Sequence, residues 1–256
     1  MTDLPRRGLF VVGTDTDVGK TAVAVAMLRG LVAAGRRVAA YKPVASGIAA
    51  VAEPGGDPER LWAAAGRVGT IAEVCPQCFP LPLSPPRAAR AAGRIVDEPL
   101  LRMGLKARGD HELVVVEGAG GLFSPLAAAT LNADLAREFG YPLVVVDAAR
   151  LGAIGRTLAT VRAAWAAGLT VAACVLSQVA PPRGEPDDPA GDVAIAAANA
   201  ADLALLLPDV SVTLLSHGAT AFAPPLDWWA LAAGPASRAS FTHLGVAPPP
   251  PRPAAG

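Results

Sequence analysis

Apolar runs at residues 9–12, 37–41, 113–116, 143–146 and 170–176 are dominated by valine, leucine and alanine with almost no polar interruption. Such runs, too short for core helices, predict strands buried on both faces. Between most of them lie alanine-rich stretches of helical length: residues 20–34 closed by Gly35, 130–139 closed by Gly140, and 154–167 closed by Gly168. Glycine just past a helix is a favoured stop because it adopts the left-handed turn at no steric cost. Strand alternating with helix implies parallel strands joined by right-handed crossovers, with ligands taken up beyond the carboxyl ends of the strands. Residues 48–57 and 179–192, rich in Gly, Pro and Ala, read as loops. Beyond them the pattern predicts a helix over 193–203, an apolar LLLP and a strand over 212–215. Together these predict an α/β fold with a mostly parallel central sheet flanked by helices on both faces. A single domain over residues 1–246 is expected, followed by a Pro-rich tail, 247–256, that cannot pack regularly and is expected to be mobile.

Composition narrows the function classes. Of 256 residues 52% are hydrophobic and 17% charged, and 22 basic residues cancel 22 acidic ones. That balance excludes a disordered chain and a general polyanion binder, so no nucleic-acid partner is expected. No apolar run approaches the roughly 20 residues of a membrane span, and the first residues lack the long apolar stretch of a signal peptide. No membrane association and a cytoplasmic location are therefore expected. Three cysteines give no disulfide framework and fit a reducing compartment. Only Lys20, Lys42 and Lys106 are lysines; elsewhere the sequence uses arginine for its cations, so each lysine calls for its own explanation.

The first strand leads into GTDTDVGKT, residues 13–21, and straight on into a helix. Strand, glycine-containing loop, GKT and helix form a phosphate-binding context: bare amides and a helix N-terminus aim partial positive charge at a polyphosphate. Lys20 is placed to bridge terminal phosphates, and the Thr21 hydroxyl to ligate Mg²⁺. Five residues rather than the usual four separate Gly13 from Gly19, so the candidate nucleotide-binding set is Gly13, Thr14, Asp15, Thr16, Asp17, Val18, Gly19, Lys20 and Thr21. The second strand ends in AAYKPVASG, which puts Lys42 and Ser46 on the same side of the sheet. A lysine there is as readily a solvated surface group, but the scarcity of lysine favours a specific task. The third strand runs LVVVEGAGG, so Glu117 stands at a strand tip before Gly118, Ala119, Gly120 and Gly121. A carboxylate there offers Mg²⁺ a hard oxygen, and the glycines admit close backbone approach. The alternative is a plain strand-end charge.

Taken together, GTDTDVGKT, YKPVASG, VEGAGGLFSPL and LGAIGRTLATVRAAWAAGL resemble the dethiobiotin synthetase family of the P-loop NTPase superfamily, over roughly residues 8–183. The long loop spacing is shared with that family. The resemblance implies ATP-dependent carboxylation and ring closure of 7,8-diaminononanoate with CO₂ or bicarbonate, in a homodimer, with Mg²⁺ as cofactor and ATP as co-substrate. It implies catalytic roles for Lys20, Lys42 and Ser46, and metal ligation by Thr21, Asp57 and Glu117. Substrate binding would fall to Ser46, Gly118, Ala119, Gly120, Gly121 and Gly152. Asp57, ahead of Pro58, is equally readable as a helix N-cap. Asp17 matches a usually acidic position near the phosphates, and residues 80–90 a stretch near the diamine.

Two departures stand out. The family's LGxINH is LGAIGR here, so Gly155 replaces an asparagine that holds the substrate's tail carboxylate across a dimer interface; Arg156, which follows it, or the helix N-terminus near Gly152 is expected to take over. Where the family recognises adenine with an asparagine and an aspartate, this chain has Ser177 and Gln178, and residues 214–217 read LLSH in place of GxxP. A hydroxyl offers less than an amide, so relaxed selectivity for the base is expected. Two other readings remain: a homologue that binds nucleotide without synthesis, and a nucleotide-dependent switch ATPase of the same superfamily, although residues 14–18 lack the extra lysine such switches carry. Cys75 and Cys78 have no second pair for a zinc site. Trp228 and Trp229 are expected to bury a C-terminal helix against the sheet, and Arg36 and Arg37 to be solvated.

Overall fold

The computed structural model describes residues 4–184, 188 and 190–232. In chain order the strands are β1 (Arg7–Gly13), β2 (Val38–Tyr41), β3 (Ala45–Ser46), β4 (Cys78–Phe79), β5 (Leu113–Gly121), β6 (Leu143–Ala148), β7 (Val171–Ser177) and β8 (Ser211–Leu215). Six of them form one wholly parallel sheet in the order β2-β5-β1-β6-β7-β8, while β3 and β4 pair as a small separate ribbon. The helices are α1 (Lys20–Ala33), α2 (Asp57–Ala64), α3 (Ile71–Val74), α4 (Pro85–Ala91), α5 (Glu98–Lys106), α6 (Asn132–Phe139), α7 (Ala153–Ala166), α8 (Asp192–Leu206) and α9 (Trp228–Leu231). The expected tail, residues 247–256, and the end of the expected domain lie outside the described residues.

The uninterrupted apolar runs become strands because both faces of the sheet are covered. Along β1, Leu9 and Val11 point into the layer built with α1, α2 and α9, while Phe10 and Val12 point into the layer built with α5, α6, α7 and α8. β5 and β6 divide their residues in the same way; along β5, Val114 and Val116 face one layer and Leu113 and Val115 the other. With period-2 geometry and cover on both sides, no position along these strands needs to be polar. The two layers leave the carboxyl ends of β1, β2, β5, β6 and β7 together at one edge, where the chemistry gathers.

Helix ends follow their signals with small shifts. α6 begins at Asn132 rather than 130, because Leu131 is held in an isolated bridge to Pro125. α8 extends to Leu206, three residues beyond expectation, since the apolar LLL continues it up to Pro208. Between β2 and β5 the structure holds α2 to α5 and the ribbon, which strand-and-helix periodicity alone did not disclose. Part of the expected 48–57 loop is turn, and its last residue starts α2.

The tryptophan pair covers the α1 side. Trp228 is buried edge-on against Phe222 with ring centroids 4.9 Å apart. Arg36 is exposed, as expected, and also lays its guanidinium 4.0 Å over the Trp229 ring, which Arg7 approaches at 4.9 Å. A guanidinium stacks on an aromatic face while keeping one side wet, so cover and solvation coexist. Arg37 is mostly exposed. Among the described residues no helix is long and apolar enough to cross a membrane.

All three cysteines are free thiols, and no group of three or more His, Cys, Asp or Glu side chains among the described residues is arranged to hold a metal ion. Burial pushes the thiol pKa of Cys75 and of Cys174 up to about 12. Cys78, at the ribbon, is only half-buried. Ellman's reagent at pH 8 is therefore expected to modify one thiol per native chain, Cys78, and all three after unfolding in guanidinium chloride; rapid native modification of two or more would contradict this packing.

Candidate active site

The β1–α1 loop is shaped by close approaches. A side chain at Gly13 would collide with the Asp15 carbonyl and the Val18 side chain, and Gly19, at φ 93°, takes the left-handed conformation that starts α1. Val18 is buried in the α1 layer and pins the loop from beneath. The Asp15 carboxylate accepts the Thr16 amide at 2.7 Å, and its carbonyl accepts Lys20 Nζ at 3.0 Å. Lys20 thus already curls back over the loop it is to serve.

Two further strands, β5 and β2, and the start of α2 deliver the remaining charges; Glu117 is not at the tip expected from sequence, since β5 runs on to Gly121. Glu117 of β5 is 1% exposed and Lys42, just past β2, is 4% exposed. Their side chains are in direct contact as an ion pair. Lys42 Nζ also lies 3.1 Å from Asp57 Oδ2, and Thr21 Oγ1 donates to Glu117 Oε1 at 2.9 Å. Asp57 is the first residue of α2 and makes no capping hydrogen bond; it reaches inward to Lys42 instead. Burial by itself lowers the Lys42 pKa, but the Glu117 and Asp57 carboxylates outweigh it and hold the ammonium above its ordinary range. Burial depresses Lys20, with Glu117 opposing the shift. For Asp57 burial works upward, yet Lys42 and a hydrogen bond from Thr21 keep its carboxyl below the usual value. Glu117 Oε2 is sealed from solvent with no hydrogen-bond partner. An orphaned buried carboxylate oxygen beside a hydroxyl and a second carboxylate is a donor set that fits Mg²⁺, which accepts one or two carboxylates and completes its shell with phosphate and water.

These groups face one open cleft of about 640 Å³. Its walls include Thr16, Asp17, Gly19, Lys20, Thr21, Lys42, Ser46, Asp57, Glu117, Ala119, Gly120, Ser177 and Gln178, so most of the residues singled out from sequence converge there. Gly13, Asp15 and Val18 shape the loop without lining the cleft. Thr14 and Gly121 line a second groove of about 480 Å³, with Phe123, Ser124, Ala159 and Thr160. Gly118 sits between the two, where a side chain would strike Asn132. Gly152 starts α7, and Arg156, one turn on, directs its Nε to both oxygens of Asp147, at 3.1 and 3.2 Å. Its guanidinium is therefore not the free carboxylate receptor expected from sequence, although Nη2 is buried without a partner.

With this geometry in view, comparison with known proteins is decisive. A family model described as AAA domain matches residues 7–215. An ATP-dependent dethiobiotin synthetase from Anaeromyxobacter dehalogenans (strain 2CP-C) is 45% identical over 82% of this chain and 89% of the relative. One from Rhodopirellula baltica is 42% identical over 66% of this chain and 72% of the relative, and one from Phenylobacterium zucineum is 39% identical over 68% and 77%. The chain belongs to the dethiobiotin synthetase family.

Some residues of this family member escaped sequence reasoning. Asn132, fully buried, donates from Nδ2 to the carbonyls of Ala119 and Gly121, both at 2.7 Å, and so fixes the glycine turn that separates the two cavities. An asparagine opening a helix reads as an ordinary capping residue, so nothing in the pattern marked it. Ser216, His217, Gly218, Ala219 and Thr220 line the far end of the cleft, and Arg29 and Arg60 stand on its wall. The strand predicted over 212–215 was the available signal, because loops after parallel strands carry sites.

Lys42 neutralises a carboxylate that has almost no water. Removing one partner of a buried pair costs about 3–5 kcal/mol. Lys42→Met is expected to lose about 3 kcal/mol in urea unfolding without Mg²⁺ or nucleotide, and Lys42→Met/Glu117→Gln to recover most of it; an unchanged midpoint in the single variant would contradict the pairing.

Proposed function

We infer that this chain catalyses ATP-dependent dethiobiotin synthesis, the carboxylation and ring closure of 7,8-diaminononanoate in biotin biosynthesis. The observation that carries the reading is the convergence of Lys20, Lys42, Thr21, Asp57 and Glu117 on one cleft at the carboxyl edge of the sheet, in a member of this family. The nucleotide's phosphates lie on the loop over residues 13–21, against the α1 N-terminus and Lys20. One amine of the diamine captures CO₂ as a carbamate, and a carbamate oxygen attacks the γ-phosphorus while ADP leaves. The second amine then closes the cyclic urea on the carbamate carbon and expels phosphate.

Several anions must coexist during these steps, so the protein's contribution is electrostatic and positional. Lys42, held protonated between two carboxylates, faces the carbamate and the transferred phosphoryl group, and Ser46 helps hold the carbamate. Thr21, Asp57 and Glu117 would hold Mg²⁺, which would supply charge neutralisation at the phosphate oxygens. Gly118, Ala119, Gly120 and Gly121 let backbone reach the diamine, which we place toward the second groove, on the α7 side. Its tail carboxylate goes to the start of α7 near Gly152, where Arg156 Nη2 is the remaining side-chain donor. A homodimer is proposed, with the open α7 side of that groove meeting the second copy, and the cytoplasm as its location.

For the nucleobase we propose loose selection. Ser177 at the end of β7 is buried and Gln178 follows it, its amide donating to the Leu215 carbonyl at 2.9 Å. Beyond them the cleft is bounded by Val179 and residues 215–220, where Leu215, Gly218 and Ala219 stand beside the polar side chains of Ser216, His217 and Thr220. No side-chain amide or carboxylate among residues 215–220 offers a base edge a fixed donor or acceptor pair, so a wrong base is not strongly rejected there.

Phosphate release with MgATP is expected to require both bicarbonate and diaminononanoate, and Lys20→Met to lower the rate by about 10² or more. Release that ignores the diamine would replace this reading with a switch ATPase, and no release with all components would indicate a binding-only homologue. Values of kcat/KM for ATP, CTP and GTP are expected to agree within about tenfold; a strong ATP preference would show that Ser177 and Gln178 recognise adenine after all.

A further inference from the structure

Among the described residues, Asp147 is the most deeply buried charged group that the proposed chemistry does not use, with 1% exposure at the end of β6. The four residues before it are all apolar and buried. A carboxylate survives in such a place only when its charge is paired and its oxygens are hydrogen-bonded. Oδ1 accepts the Thr14 hydroxyl at 2.6 Å and the Ala148 amide at 2.8 Å. Arg156 supplies the countercharge through Nε, and Thr157 Oγ1 lies 3.5 Å from Oδ2.

The sheet register explains why Thr14 meets this group. Gly13 pairs with Val146, so Thr14 and Asp147 are the next residues outward on neighbouring strands. By the alternation of β1 and β6, their side chains turn to the α7 face, whereas the loop that Thr14 opens crosses to α1 on the opposite face. Thr14 is held at two points, its amide donating to the Val146 carbonyl at 2.9 Å and its hydroxyl to Asp147. The exposed residues 15–17 are tied within the loop itself, the Thr16 amide to the Asp15 carboxylate and Lys20 Nζ to the Asp15 carbonyl, so Thr14 is where the loop is fixed to the α7 face of the sheet.

We propose that Asp147 and Arg156 are a positioning pair for the phosphate loop: Asp147 anchors Thr14, and Arg156 cancels the carboxylate's charge so that the loop can accept a polyanion. The second half follows from dielectric. A buried negative charge is poorly screened, and without its guanidinium it would oppose triphosphate binding at the adjoining loop. Neither side chain needs to touch the reacting atoms. The proposal rests on the nucleotide-binding reading of residues 13–21.

The test is a fluorescence titration with Mg²⁺ and a methylanthraniloyl-labelled ADP, alongside urea unfolding. Thr14→Val is expected to weaken nucleotide binding about fivefold, and Thr14→Ser to restore nucleotide affinity to within about twofold of the parent. Arg156→Met is expected to weaken nucleotide binding at least about tenfold, and Asp147→Asn/Arg156→Met to regain most of that loss, because the amide oxygen of the introduced asparagine can still accept the Thr14 hydroxyl without carrying a charge. Parental nucleotide affinity in either Thr14→Val or Arg156→Met overturns the proposal, as does a loss of urea stability with no change in affinity. An unsubstituted protein that retains no labelled nucleotide at all overturns the functional reading itself, and this proposal with it.

Discussion

Lys42 and Glu117 meet almost out of reach of water, on strands that are neighbours in the sheet. Two opposite charges can be carried so deep only if the backbone delivers them to each other accurately, because either one alone would be heavily penalised by desolvation. The parallel register of β2 with β5, in which Tyr41 sits opposite Val116, supplies that accuracy: the next residue on each strand carries the charge. Thr21 and Asp57 then close around the pair from α1 and α2. The order of the strands, the cover on both faces and the path of the chain from β2 to α2 all serve that one meeting.

The same logic governs the rest of the carboxyl edge. Each parallel strand that reaches the site carries a polar group at or near its carboxyl end: Thr14 after β1, Lys42 after β2, Glu117 within β5, Asp147 in β6 and Ser177 in β7. Because these positions are neighbours, Thr14 pairs with Asp147 and Lys42 with Glu117 before any ligand arrives. The result is a preorganised set of donors and acceptors whose reorientation on binding is small, which is the condition under which fixed dipoles and charges lower a barrier most effectively. The glycines fit this arrangement by subtraction. At Gly13 and Gly118 a side chain would collide with the groups that give the turn its shape.

Legibility differed along the chain for physical reasons. The strands of the main sheet were readable because burial on both faces leaves no room for polar residues, and the loop over 13–21 was readable because its glycine spacing and the GKT ahead of a helix stand in one continuous segment. Asp57 was ambiguous as a string of letters, cap or ligand; in the fold Gly56 takes the cap position and Asp57, the first residue of α2, pairs with Lys42. Arg36 is the exposed cation it looked like, but its stacking on Trp229 was not readable because that ring lies far away in the chain. Asn132 gave no signal, and the wall over 215–220 only the strand predicted before it, because their roles depend on which carbonyls and which strand ends come to lie beside them.

By itself the sequence determined the alternation of strands and helices, the glycine-containing loop between β1 and α1, and the family, since each is written in contiguous residues whose periodicity or spacing follows from backbone geometry. Tertiary structure alone decided which charges meet. That Arg156 answers Asp147 rather than standing free, that Thr14 is gripped from the face opposite α1, and that one turn of glycines divides two cavities all depend on strand order and register. Pairings of that kind join residues many positions apart, and hydrogen bonds act over about 3 Å, so only the folded chain brings their partners within range.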